Sequence, residues 1–484
     1  MALLAVAWPG HAQQEEEQER RFSITPRLEQ TVTATDNARL APRGQERRDI
    51  IYNVAPGVLV TAEGKRIRGR ADYLFNNRFH ASDSDRDTAT QRYNVRGNAE
   101  LLRNFLFLDA SATRREQSET FLDPVGVGEG VFDDTTTVTT WRVSPYATQR
   151  LGRLADVTAR YAYDRVRSRR DSTAETYTVD VTSVPMGRRY FWSGNFEWQE
   201  IRFDDDEVGT LGDDPVILAT ISGTAGVELT RRLSVFGTVG EERNDFVSPT
   251  GDIDGSFWNA GFRWNPNVRT SLEGTVGERF FGRTGSLDLR HQRRRAMWQA
   301  SFVQLVSTTR SQLLLADENC LDFFIDQGFT EEEALVFCFE LASPVRAEDI
   351  FVLERAQVSV RYNLRRSEWS LLAFRTDRDF LSERAEADDF QRDDRRTGVL
   401  GRVVWSLGPA TTWENSISRT WVQPDGADGE DREQRFWSFR TGLTRQLALN
   451  MRGSLSYRHQ QRASEPEQRG FRENAVTARL NITF

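Results

Sequence analysis

The chain has 484 residues, 38% of them hydrophobic and 28% charged, with 72 acidic residues against 64 basic ones and a formal net charge of −8. That balance argues against a nucleic-acid partner, which calls for a basic surplus on one face, and no apolar run approaches the roughly 18 residues of a membrane-crossing helix. Transmembrane β-strands stay open, because a strand that alternates lipid-facing and lumen-facing residues averages to a polar composition.

In chain order, residues 1–12 read MALLAVAWPGHA, an apolar run that ends in small residues before a polar stretch. The pattern predicts the tail of a secretory signal peptide cleaved after Ala12. Residues 13–21 follow as a short acidic leader in the periplasm, too short for a separate plug domain, so the expected barrel is either open or closed by its own loops. From Phe22 to Phe484 runs of alternating residues are separated in turn by tight turns and longer polar loops. Trp192, Gly194, Phe196 and Trp198 alternate with Ser193, Asn195 and Glu197; Trp258, Ala260, Phe262 and Trp264 alternate with Asn259, Gly261 and Arg263. Period two puts each set on its own face of a strand. Aromatic rings at both ends of an apolar stripe suit the two membrane interfaces.

Roughly ten short turns, among them Met186 with Gly187, Pro266 with Asn267 and Leu447 with Ala448, and about eleven loops imply about 22 strands, an even number as single-chain bacterial barrels require. Residues 281–285 count as one of the loops. The predicted fold is all-β: a transmembrane antiparallel up-and-down barrel over residues 22–484, with short periplasmic turns and longer extracellular loops. A β-sandwich shares the alternation, but the runs exceed the usual five or six residues of globular strands. Pro26, Pro56 and Pro145 sit inside expected strands and predict bulges. Asn415 and Arg419 share a face with Trp413, Ile417 and Trp421, which predicts a slipped register or an early exit from the membrane.

The longest loop, residues 311–349, contains DQGFTEEEALVFCFEL, a helix-like piece with Thr330 as its N-cap and carboxylates in its first turn. It is a candidate gate. Cys320 and Cys338, the two cysteines, lie in it and are able to pair in an oxidising compartment. Acidic loops recur at Asp83, Asp85 and Asp87 and at residues 204–207 and 425–431; none completes an EF-hand, and solvated loops bridged by divalent cations to lipopolysaccharide are the better expectation. The chain closes with Val476, Ala478, Leu480, Ile482 and Phe484 on one apolar face, a pattern resembling the C-terminal signal that barrel-assembly machinery reads. This strand should pair with the first.

The stretches ITPRLEQTVTATDNARLAPRGQERRDIIYNVAPGVLVTAEGKRIRGRADY, NAELLRNFLFLDASAT, VSPYATQRLGRLADVTARYAYDRV and GSLDLRHQRRRAMWQASF resemble the PEP-CTERM system-associated outer-membrane β-barrel proteins, over most of the chain from about Ile24 onward. That family is linked to exopolysaccharide biosynthesis and export loci, so the resemblance implies a part in surface polysaccharide assembly or secretion. It carries no catalytic motif.

Alternation assigns Asp109, Asp156, Arg160, Asp164, Glu197, Glu273, Arg361, Arg402, Arg458 and Arg479 to the lumen. Any large barrel must hydrate its interior; the sharper reading is a wet pathway whose charged groups hydrogen-bond sugar hydroxyls or acidic sugars. His11 lies in the signal, and no serine or aspartate pattern marks a triad around His80, His291 or His459, so an enzyme is not expected. No cofactor or metal is implied. The expected partners are outer-membrane lipid and lipopolysaccharide, the assembly machinery, and polysaccharide with periplasmic export components. A polysaccharide export channel, a non-transporting docking barrel and a general diffusion porin remain as readings.

Overall fold

The computed structural model describes residues 21–118, 135–168, 171–184, 189–204, 215–246, 248, 253–314, 350–381, 393–424, 433–464 and 470–484. They form one sheet of 22 strands. In chain order these are β1 (Arg21–Thr35), β2 (Asp49–Glu63), β3 (Ile67–His80), β4 (Thr88–Leu102), β5 (Leu106–Ser118), β6 (Thr135–Leu151), β7 (Ala155–Arg167), β8 (Ser172–Ser183), β9 (Tyr190–Phe203), β10 (Val216–Thr230) and β11 (Leu233–Asp245). They continue as β12 (Gly255–Asn267), β13 (Thr270–Arg279), β14 (Gly282–Gln292), β15 (Ala296–Thr308), β16 (Ile350–Asn363), β17 (Ser367–Phe380), β18 (Asp394–Gly408), β19 (Thr411–Pro424), β20 (Gln434–Ala448), β21 (Met451–Ser464) and β22 (Phe471–Thr483). A short α-helix, α1 (Thr309–Leu314), follows β15, and a single 3-10 turn, Ser84–Arg86, lies between β3 and β4.

Each strand pairs antiparallel with the next, and β22 returns to β1 in a register that runs from Arg27 opposite Thr483 to Thr35 opposite Ala475. The sheet is therefore a closed barrel with no free edge, the arrangement a lipid environment demands of strands. The barrel and its strand number agree with the sequence-based expectation, and the C-terminal stripe Val476 to Ile482 pairs with the first strand as anticipated.

The two faces divide as period two requires. On the outside, Ile221, Val239, Val276, Leu371 and Ile417 are exposed. Exposed tryptophans border them: Trp192, Trp264, Trp298, Trp369, Trp405 and Trp413 toward the short turns, and Trp258 toward the loops. On the inside, rings pack against glycines of neighbouring strands. Phe191, Gly226, Phe236 and Gly261 stand opposite one another in turn across β9 to β12. A Cβ at Gly226 would run into the Phe191 ring and one at Gly261 into the Phe236 ring. Aromatic cover of a glycine's bare backbone is a known way to pin register.

Several local expectations need correction. No bulge occurs at the prolines. Pairing with the next strand lapses at Pro56 and Pro145, but the register on either side is unchanged. Pro26 also keeps regular register with Val58. A proline removes one donor without demanding an extra residue, so the ladder skips a rung and continues. The register shifts lie beside the short turns instead, at Glu100/Leu102, Glu228/Thr230, Trp264/Asn267, Ser406/Gly408 and Gln446/Ala448. They carry two turns past the expected sites, to Val268 with Arg269 and Leu449 with Asn450. Residues 281–285 are not a loop: Phe280 and Phe281 alone join β13 to β14, helped by Gly282 at φ +108°.

Asn415 and Arg419 do face outward, in unbroken register. Their polar groups are satisfied laterally. Thr441 Oγ1 donates to Asn415 Oδ1 at 2.7 Å and accepts from Trp413 Nε1 at 2.9 Å, while the Arg419 guanidinium lies 4.8 Å from the Trp421 ring centroid.

Candidate functional site

A barrel of 22 strands encloses a wide lumen, since diameter grows with strand number. Its inner wall is polar, and all ten lumen candidates stand on it by register. Two of them meet each other: Arg160 Nη1 donates to Asp109 Oδ2 at 2.8 Å and to Ser144 Oγ at 2.9 Å, with its guanidinium 4.1 Å from the Tyr146 ring centroid. The others take partners that the sequence did not reveal. Asp156 accepts from Arg150 at 2.7 Å, Glu273 from Arg263 at 2.7 Å, and Glu368 and Glu414 accept from Arg361 at 2.7 Å and Arg402 at 2.8 Å. Arg458 donates to the buried Glu473 at 3.0 Å, which also accepts from Thr35 at 2.8 Å. Glu197 stands opposite Thr178 and Thr220, and Arg479 opposite Thr31 and Ser454.

The mouth on the loop side is narrowed from two directions. After β1, Asn37 caps its own loop, accepting from Ala41 N at 2.9 Å and donating to Ala41 O at 2.8 Å, and it ties the loop to Arg472 O at 3.0 Å. Leu40 is thereby set against Val422, Phe436 and Phe471. These belong to β19, β20 and β22.

The second constriction is larger. β13 and β14 are the shortest strands, and β15 has no partner in β14 beyond Val303. From there the β15–β16 hairpin parts from β14 while β16 stays paired with β17 as far as Phe351. Ile350, Phe351, Val352 and Leu353 are all buried, whereas a strand lining a wall would bury alternate residues. Ile350 and Val352 pack in one cluster with Ala174, Ile201 and Val216 of β8, β9 and β10.

Helix α1 completes the crossing. Its Leu313 packs on Val138 of β6 and Val166 of β7, both on the inner wall. Arg310, 1% exposed, forms an ion pair with Asp164 of β7, also 1% exposed. Its Nε donates to Ser172 Oγ at 3.0 Å and its Nη2 to the Asp164 carbonyl at 2.9 Å. β15 and β7 are not neighbours in the ring, so this contact spans the opening. A buried ion pair stripped of one member leaves an uncompensated charge, at a cost of about 3–5 kcal/mol. Burying Leu313 adds roughly 1.5–3 kcal/mol.

The candidate gate at residues 311–349 is thus described only at its start, residues 311–314, the end of α1. Its helix-like piece, Cys320 and Cys338 lie outside the described residues, as do the signal and leader at residues 1–20, the turn at Met186 and Gly187, and residues 205–207 and 425–431. Of the acidic loops, Asp83 pairs with Arg39, and Asp87 accepts from His80 N at 2.7 Å. Among the described residues no group of three His, Cys, Asp or Glu side chains is placed to hold a metal ion. His80 is buried and bound through Nδ1 to Asp49 at 2.8 Å, and among the described residues its Nε2 meets no hydrogen-bond partner.

No protein-family model matches the sequence, and no curated protein matches it. Solved structures do. The ferric enterobactin receptor of Pseudomonas aeruginosa, as a mutant with enterobactin bound, aligns at TM-score 0.53 and 8% identity, covering 95% of this chain and 81% of the receptor. The siderophore receptor PirA of Acinetobacter baumannii aligns at 0.51 and 8%, covering 96% and 80%. The FrpB iron transporter of Neisseria meningitidis aligns at 0.52 and 10%, covering 95% and 81%. At such identities the likeness is one of fold. Among the described residues no helix is long and apolar enough to cross a membrane. The closed barrel with its apolar belt makes this chain an outer-membrane β-barrel protein.

Proposed function

We propose that the barrel is a gated conduit for a polar polymer, working in exopolysaccharide export or surface polysaccharide assembly. The observation that carries this reading is the Arg310–Asp164 pair, which fastens a strand tip across the mouth of a lumen lined with charge. A permanently structural cross-brace has no need of a buried ion pair, since apolar residues of similar volume stabilise as well or better. A pair that must part and re-form in water does.

In planar bilayers the wild-type protein should conduct little, and Asp164→Asn should open frequent large steps, because it leaves Arg310 without its counter-charge. Equal conductance in both would remove the gate. In cells, deleting the gene should trap polymer in the periplasm; unchanged surface polymer would remove the export role. A second reading comes from the solved structures, which are siderophore receptors and an iron transporter: uptake of a ferric siderophore through the same fold. Impaired growth of the deletion strain under iron limitation, with normal surface polymer, would favour it. A docking barrel would show no conductance in either variant, and a diffusion porin would conduct without the Asp164 change.

A further inference from the structure

The short turns carry a pattern that neither the barrel wall nor its closure explains. Every fully described short turn from β2 to β17 contains arginine and no carboxylate, from Arg66 after β2 and Arg153 after β6 to Arg269 after β12, Arg294 after β14 and Arg366 after β16. The loops at the other end are acidic, as at Asp83, Asp85 and Asp87. These turn arginines are exposed, and among the described residues they form no ion pair. Apolar side chains stand beside them in the open: Ile67 is 60% exposed, Leu154 62% and Val268 103%. Tryptophans exposed on the lipid face lie just inside the turns. Trp192, Trp298 and Trp369 follow Arg189, Arg295 and Arg366 by three residues, which is roughly 10 Å along a strand.

Interfacial tryptophans settle at headgroup depth, so an arginine one step further out on the same strand reaches the phosphate layer. Guanidinium meets phosphate oxygens with two parallel donors. A cation beside an exposed aliphatic side chain suits a membrane surface, because the apolar group enters the acyl boundary while the charge stays among the headgroups. A polysaccharide chain offers nothing to Val268. We propose that the short turns from β2 to β17 form a collar that binds anionic glycerophospholipids, phosphatidylglycerol being the simplest, in the leaflet that the turns meet. In a zwitterionic lipid the phosphate is already offset by its own ammonium, so unpaired arginines select a net negative headgroup. The turns Pro409-Ala410 and Leu449-Asn450 lack arginine and leave the collar open near the seam between β1 and β22. The collar is independent of the conduit and requires no conduction.

The test uses the full-length protein in phosphatidylcholine vesicles that contain acyl-brominated phosphatidylglycerol or, in a parallel series, acyl-brominated phosphatidylcholine. Bromine quenches nearby tryptophan fluorescence, so the two quenching curves give the relative affinity of the lipid-facing wall for each lipid. Phosphatidylglycerol should be preferred severalfold, and the preference should shrink with added salt. The variant Arg293→Gln, Arg294→Gln, Arg295→Gln, Arg365→Gln, Arg366→Gln strips the turns beside Trp298 and Trp369 and should lose at least half of the preference. Arg243→Gln, at the loop end and paired with Glu241 at 2.9 Å, should retain it. If the multiple variant fails to assemble, Arg365→Gln with Arg366→Gln should lower the preference measurably on its own. Equal quenching by the two lipids in the wild type, or an unchanged preference in the turn variants, overturns the collar. Salt-sensitive binding of an oligogalacturonate without any lipid preference would assign the arginines to a polymer and overturn it equally.

Discussion

Arg310 and Leu313 show how few side chains hold the crossing in place. They are two of the four buried residues of a six-residue helix, too short to be stable by itself. Its position is therefore set by tertiary contacts, and Leu313 supplies the apolar one, against Val138 and Val166. Leu313→Ala should weaken the seated state by about 2–5 kcal/mol, the range for a buried leucine truncated to alanine. Faster hydrogen exchange in α1, with the rest of the barrel unchanged, is the expected readout; unchanged protection would show that α1 is held elsewhere. None of this was legible in the sequence. Alternation assigned Asp164 to the lumen, but a partner 146 positions away in a non-repeating stretch leaves no local trace.

Among the elements, the hairpins differ in how tightly their turns and glycines fix them. In β13 a Cβ at Gly277 would run into the Trp258 carbonyl and the Asn259 side chain of β12. Backbone cannot yield as a flexible side chain can, so Gly277→Ala should force the two strands apart locally. Overpacking of this kind costs about 1–3 kcal/mol or more, and the melting temperature of the purified barrel should fall, whereas Gly223→Ala, where no atom lies in the way, should leave it nearly unchanged. The strands themselves were largely legible because period two repeats over ten to seventeen residues. Their ends were less so. Residues 281–285 contain two glycines and read as a loop, yet the chain reverses at Phe280 and Phe281 and both glycines fall in β14. The prolines misled for a related reason: a missing donor resembles a bulge in sequence, but here it cost only a rung of the ladder.

For the whole molecule, the decisive property is that adjacent side chains live in different solvents. Val276, 66% exposed, faces lipid, and Thr275, bonded to Ser286 Oγ at 2.6 Å, faces the lumen. Val276→Arg should destabilise the barrel by about 2–4 kcal/mol if it sits at the midplane, while Thr275→Arg should cost little beyond one hydrogen bond of about 1 kcal/mol. Urea unfolding in lipid vesicles would distinguish them; equal losses would mean that the two faces are not what alternation says. The pairing of β1 with β22 has a further consequence, for biogenesis. The two ends of the ribbon that must find one another are the first and the last of its 22 strands, so the cylinder is unable to seal until the last strand has been made and secreted. Until then, two rows of bare amides need shelter from the bilayer, and whatever provides it must let go only when the last tooth of the zipper engages.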